Sequence, residues 1–292
     1  MATSNKKASA AKKHLPARKK TTIKRGGKNG INISFKIAVA VVLLVLLSPF
    51  YYGHVLKLCI SSWRWARDLG SNPHYHLYKS FNIPIPDNHS IHGIDVSYYQ
   101  GKIDWKKVKH MHEDSVHISF AFIKATEGII QVDPYFQRNW RECPKAGIIC
   151  GAYHYFRPEM NGKWQARFFL QNVKTKSGDL PMAVDIEQLE GVSPDVMRTA
   201  LKVFLKFITI ETNIKPIIYS DLKFYNDNLS GYFSDYSIWL AHYSEPDLEA
   251  EKAIKWSFWQ HNNKASVNGI NGAVDFDVFK GDSLAFRKLL VR

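Results

Sequence analysis

The chain has 292 residues, 45% of them hydrophobic, and a net charge of +14 from 40 Lys and Arg against 26 Asp and Glu. That composition is ordinary for a globular protein of one large domain or two small ones. The charge resembles that of a nucleic-acid binder, but the first 36 residues carry eleven Lys or Arg and no acid, leaving 29 basic against 26 acidic residues elsewhere. The remainder is near neutral, and no nucleic-acid partner is expected.

The basic stretch 1–34, with "KKASAAKKHLPARKKTTIKRGGKNG" at its centre, is rich in small and polar residues and lacks an apolar period, so a disordered tail is expected. It runs directly into "FKIAVAVVLLVLLSPFYY", residues 35–52. A membrane-spanning helix needs roughly 20 apolar residues, with roughly 17 tolerated, and this segment meets the lower bound. A single transmembrane helix is therefore expected. The positive-inside rule keeps the N-terminus cytoplasmic and places the rest of the chain in the periplasm or outside the cell. A cleaved signal peptide competes with this reading, but its charged region would be unusually long and no A-x-A-like site follows Leu47. A basic block can also mark nuclear or nucleic-acid targeting; beside a span, a grip on anionic lipid explains it better.

Residues 53–90 read as a juxtamembrane linker, with "VLKLCISSWRWARDL" helical and "NIPIPDNHS" a Pro-rich connector. Trp63 and Trp65 suit either the membrane interface or a helix docked on the following domain. The three cysteines, Cys59, Cys143 and Cys150, form no disulfide framework. Cys143 and Cys150 flank "PKAGII", and buried unpaired thiols are expected there ahead of a pairing. No Cys and His spacing suits a metal, and no metal is expected.

From residue 91 to residue 292 the pattern is regular. Strands "HGIDVS", "VHISFAFIKAT", "IICGAYHYF", "LPMAVDIE" and "KPIIYS" alternate with helices "DWKKVKHM", "PYFQRNWRECPKAG", "GKWQARFFLQNVKT", "SPDVMRTALKVFLKFITIET" and "DLKFYNDNL". Three further strands, "SIWLAHY", "IKWSFWQHN" and "GAVDFDVF", follow without a long helix between them, and "SLAFRKLL" closes the chain as a helix. Repeated βα units predict a parallel sheet, and eight strands are enough to close it. The expected fold is an α/β, modified TIM-like barrel of five βα units followed by three β-strands.

Such barrels carry their functional groups at the C-terminal ends of the strands. Acids recur there: Asp95, then Asp185 and Glu187, then Asp275 and Asp277. Residues two apart on a strand share a face, so Asp185 and Glu187 point to the barrel mouth while Val184 and Ile186 turn toward the helices. Clustered carboxylates suit either a hard cation or general acid and base steps, because like charges raise one member's pKa. Aromatic residues near the strand ends, Tyr153, Tyr155, Phe156, Tyr219, Trp239, Tyr243 and Trp259, favour the flat apolar faces of sugars.

These blocks, from "HGIDVSYYQGKIDW" through "FAFIKATEG", "PMAVDIE" and "FWQHN" to "GAVDFDVF", resemble family 25 of the glycoside hydrolases over roughly residues 91–282. The resemblance implies an N-acetylmuramidase type of lysozyme that cleaves the β-1,4 bond between N-acetylmuramic acid and N-acetylglucosamine in peptidoglycan. It implies Glu187 as general acid, Asp185 as its partner, and Asp95 and Asp275 as further catalytic acids. Tyr153, Tyr155, Tyr219, Trp239, Tyr243, Gln260 and Asp277 are the candidates for holding the sugars. No cofactor is implied, and a monomer is expected with peptidoglycan glycan strands and the lipid bilayer, through residues 35–52, as partners. His261 in "FWQHN" and His242 in "IWLAHY" depart from the usual family pattern and are expected to alter sugar subsites. No repeated wall-binding module is expected after the barrel; the anchor takes over that role. A non-catalytic glycan-binding barrel and a hydrolase of chitin are the rival readings.

Overall fold

The computed structural model of the chain describes residues 36–38, 42, 74–243 and 254–292. The chain divides into two compact units, Met1–Asp68 and Leu69–Arg292. The expected basic tail, span and membrane-proximal helix lie outside the described residues, apart from 36–38 and Val42, which are helical. Among the described residues no helix is long and apolar enough to cross a membrane.

The described part of the second unit starts with a hairpin, β1 (Tyr75–Tyr78) and β2 (Ile83–Pro86), followed by β3 (His92–Val96), α1 (Trp105–His110), the short β4 (His112–Glu113), β5 (Val116–Glu127) and the short β6 (Gln131–Val132). Next come α2 (Phe136–Lys145), β7 (Ile149–Tyr155), α3 (Gly162–Asn172), β8 (Ala183–Asp185), α4 (Pro194–Thr212), β9 (Ile217–Asp221) and α5 (Leu222–Phe224), which a π-helical turn, Tyr225–Leu229, continues. Then follow β10 (Ser237–Ala241), β11 (Trp256–Ala265), β12 (Val274–Phe279) and α6 (Ser283–Leu289). The ladder order β3-β12-β11-β10-β9-β8-β7-β5, with β5 returning to β3, closes eight strands into a barrel. This is the expected set of five βα units and three strands. Seven of the strands run parallel, while β12 is antiparallel to both its neighbours.

Strand alternation sorts the core into two shells. Phe120, Phe122, Tyr153, Ala183, Ile217, Tyr219, Trp239 and Phe258 fill the barrel interior. Ala121, Ile123, Val184, Ile186, Ile218, Leu240, Trp259 and Phe276 face outward into the second shell, which includes helical residues such as Phe169, Leu201 and Phe204. Glycine makes room for the two phenylalanines: a Cβ on Gly93 would stand 2.3 Å from the Phe120 ring, and one on Gly151 would stand 2.6 Å from Phe122. Helix α4 starts as its sequence indicates, with Ser193 capping the Val196 amide and Pro194 in the first turn.

Two expectations are corrected here. The stretch 74–90 is not a free linker: Phe81, Ile83 and Ile85 are buried to 1% exposure or less, and Phe81 packs edge-on against Phe276 at 5.4 Å. The Ser266 amide also donates to the Phe81 carbonyl at 2.8 Å. Second, Cys143 and Cys150 form a disulfide, joining the last turn of α2 to β7. The short turn from helix to strand between them, at a sequence separation of 7, brings both sulfurs into one buried spot, so the thiols that were expected to pack as separate small hydrophobes meet instead. Replacing both cysteines by serine should lower unfolding free energy by about 2 to 3 kcal/mol, the loop-closure value for so short a loop. Denaturant titration of the oxidised protein against the double variant checks this.

Candidate active site

At the end of the barrel where the parallel strands finish, a cleft of about 290 Å³ is lined by Asp95, Ser97, Tyr99, Lys124, Tyr153, Tyr155, Asp185, Glu187, Tyr219, Trp239, Tyr243, Gln260 and Asp275. A larger hollow of about 500 Å³ lies beside α1 and α2, with Lys102, Lys106, Arg138 and Lys145 on its walls. Size does not decide between them; the grouping of acids does.

The backbone fixes the acids before any side chain does. β8 ends at Asp185, yet the Ile186 amide still donates to the Tyr219 carbonyl at 3.1 Å, and Ser220 Oγ donates to the Ile186 carbonyl at 2.7 Å. The extended run therefore reaches Glu187, and Asp185 and Glu187 share the cleft side while Val184 and Ile186 are buried in the outer shell. Across the barrel Asp95 and Asp275 are direct ladder partners of β3 and β12. Gln260 ties the two sides together. Its Nε2 donates to Asp95 Oδ2, and its Oε1 accepts from the hydroxyls of Tyr219, at 2.9 Å, and Tyr243.

Crowding and burial raise every one of these acids. Burial pushes Asp185 well above the carboxylate range, and the neighbouring Glu187 adds to it. Glu187 is raised by burial and by Asp221, with the nearby Tyr219 and the charge of Lys124 opposing. Asp95 is raised by burial and then by Asp275 and Asp277, with Gln260 opposing. Asp275 is pushed up to about 6, by burial first and Glu187 second. Near neutral pH the cleft therefore keeps protons on part of its carboxyl set.

A raised folded-state pKa makes the native protein bind protons that the unfolded chain has already released, so stability falls as pH rises through that pKa. For Asp275 the window runs from the ordinary 3.8 to about 6. Replacing Asp275 by Asn should stabilise the fold at pH 7 by on the order of 2 to 3 kcal/mol, and the gain should vanish near pH 4. Thermal melts across that range read the difference.

Asp277 is a correction. It does not line the cleft: it is fully buried, and it accepts a hydrogen bond from Trp239 Nε1 at 2.8 Å. Because β12 runs antiparallel, its mouth-facing end is the N-terminal one, and Asp277 pairs with Gly93, a level below the Asp275 and Asp95 pair. Asp277 lies beneath Asp95, and its charge helps to raise the Asp95 pKa. His261 turns outward between Trp259 and Phe276, each 5.6 Å away, so it does not reach a sugar subsite. His242 is absent from the cleft wall, and Phe156 and Trp259 belong to the outer core. Trp239 is only 1% exposed and forms the cleft floor, stacked on Phe122 at 4.3 Å. Ser97, Tyr99 and Lys124 also line the cleft and were not among the sequence candidates. Among the described residues, no group of three or more His, Cys, Asp or Glu is arranged to hold a metal ion.

Residues 94–270 match the family model "Glycosyl hydrolases family 25". The chain belongs to glycoside hydrolase family 25. It is 35% identical over 212 residues to Lysozyme M1 of Streptomyces globisporus, covering 68% of this chain and 70% of that one. It is 47% identical over 209 residues to the uncharacterized protein YegX of Escherichia coli K12, covering 71% and 76%. Its fold superposes on a family 25 glycosyl hydrolase from Bacillus anthracis with a TM-score of 0.64 at 30% identity, over 76% of this chain and all of that one. The barrel is thus that of a glycoside hydrolase family, and the acid-lined cleft is its candidate active site.

Proposed function

We propose that this family 25 enzyme is a muramidase that cleaves the β-1,4 bond between N-acetylmuramic acid and N-acetylglucosamine in peptidoglycan, with Glu187 as general acid. The observation that carries the reading is the pair at the cleft: Glu187, half-buried and with its pKa raised above the ordinary range by burial, beside a second carboxyl, Asp185, on the same strand face. Glycoside cleavage needs one carboxyl that keeps its proton and another that carries charge. Protonated Glu187 gives its proton to the leaving glycosidic oxygen. Asp185 faces the charge that develops at the anomeric carbon and orients the substrate's C2 acetamido group for attack. The Glu187 carboxylate then takes a proton from the incoming water, and the configuration is retained. Asp95, held by Gln260, and its ladder partner Asp275 hold the negative field around that centre, while Tyr153, Tyr155, Tyr219 and Tyr243 offer ring faces and hydroxyls to the sugars. No cofactor takes part.

Lysozyme M1 supports the choice of substrate by its name. A non-catalytic binding barrel has no use for four acids whose burial destabilises the fold. Purified enzyme should release reducing ends from peptidoglycan and not from chitin; release from chitin at an equal rate would move the assignment to the other polymer.

We further propose that residues 35–52 anchor the chain in the cytoplasmic membrane, with 1–34 inside and the barrel outside. The charge and apolarity of the sequence support the anchor. The Cys143 and Cys150 disulfide suits an oxidising compartment. The full chain should sediment with membranes and resist extraction by carbonate; recovery in the soluble fraction would remove the anchor.

A further inference from the structure

The cleft contains a charge that the reaction above leaves unused. Among the described residues that line it, Lys124 is the one cation, set against Asp95, Asp185, Glu187 and Asp275. It stands at the mouth end of β5, on the inward face that Phe120 and Phe122 occupy deeper in the barrel. Its side chain is 12% exposed. An ammonium this enclosed loses hydration and needs fixed partners.

It has them. Lys124 Nζ donates to Glu127 Oε2 at 2.7 Å and lies 4.7 Å above the ring of Tyr155. Arg157 takes the other oxygen of Glu127, with its Nε at 3.1 Å, and also pairs with Glu190. The Arg157 guanidinium covers the same Tyr155 ring at 4.9 Å. The chain Lys124, Glu127, Arg157, Glu190 thus links the end of β5 to the segments after β7 and β8, and Glu190 follows Glu187 by three residues.

We propose that Lys124 is a positioning residue that serves as counter-cation to the acid cluster, held in place by this ion chain so that a carboxylate can persist beside the protonated Glu187. The inference rests on the muramidase reading only for its assay. The groups facing Lys124 are Glu127 on its own strand, Tyr153 and Tyr155 on β7 with Arg157 beyond, and Asp185, Glu187 and Glu190 on β8 and its loop; Asp133 and His154 also feel its charge. Lys124 lowers the pKa of both Asp185 and Glu187, and Glu127 raises that of Asp185. The two ends of the ion pair therefore act on the site with opposite sign.

The test uses the full-length protein in mild detergent, labelled with 13C at Asp and Glu carboxyls, and needs no substrate for its first arm. Lys124→Met should raise the titration midpoints of Asp185 and Glu187 by about one unit, Lys124→Arg should restore them, and Glu127→Gln should lower that of Asp185. In the second arm the whole pH profile of reducing-end release from peptidoglycan should move up by about the same amount in Lys124→Met. Midpoints that stay in place in folded Lys124→Met, or in Glu127→Gln should the first variant fail to fold, overturn the proposal. So does lost activity with an unmoved pH profile, the mark of a purely structural ion pair. If the unaltered protein releases no reducing ends, the substrate reading fails while the titration arm still decides the role of Lys124.

Discussion

Replacing Glu187 by Gln is expected to lower hydrolysis of peptidoglycan by at least about 100-fold while leaving the barrel folded, because general acid catalysis typically supplies 10² to 10⁴ in rate. The amide matches the carboxyl in size, so the cleft keeps its shape. Only the transferable proton is lost. The site supplies no substitute at that position: Asp185 stands two residues back on the strand, and Asp95 and Asp275 belong to the opposite wall. Because burial and Asp221 raise the Glu187 pKa, the neutral amide should also relieve a native-state penalty, and the variant should melt no lower than the parent at pH 7. Release of reducing ends and a thermal melt, measured on one preparation, separate chemistry from folding. Activity within a few-fold of the parent would remove Glu187 from the role of acid.

The second large effect concerns where the folded domain begins. A chain starting at residue 91 would lack Phe81, Ile83 and Ile85, all buried in the native core. Each such side chain contributes about 1.5 to 3 kcal/mol on burial, and the loss falls on a domain whose total stability is about 5 to 15 kcal/mol. The amides of Lys79 and Ser80, which donate to the Glu113 carboxylate, go with them. A fragment of residues 69–292 is expected to melt cooperatively. One of residues 91–292 is expected to be insoluble or to show no cooperative transition by circular dichroism, and equal melting temperatures would return 74–90 to the status of a linker.

The barrel could be read from the sequence because alternation and βα rhythm are local signals. Val184 and Ile186 against Asp185 and Glu187 is a period of two that one strand face explains. What alternation cannot supply is strand direction, and the antiparallel course of β12 sends Asp277 beneath the cleft although it shares a face with Asp275. The hairpin was hidden by its prolines. Pro84 and Pro86 suggested a connector, yet Ile83 and Ile85 stand two apart and are both buried, and a two-stranded edge ribbon tolerates proline. Lys124 carried a usable signal, since a lone charge on the inward face of an apolar strand has to meet something. Tyr99, 77% exposed in a turn, carried none. The pairing of Cys143 with Cys150 depended on how α2 returns to β7, which spacing alone leaves open.

The sugar at the new reducing end decides which bond this cleft cuts. Full-length enzyme is incubated with purified peptidoglycan, the fragments are reduced with borohydride, and mass spectrometry identifies the terminal alditol. Muramitol is expected at the newly formed ends. Glucosaminitol there, or fragments cut only in their peptides, would contradict it.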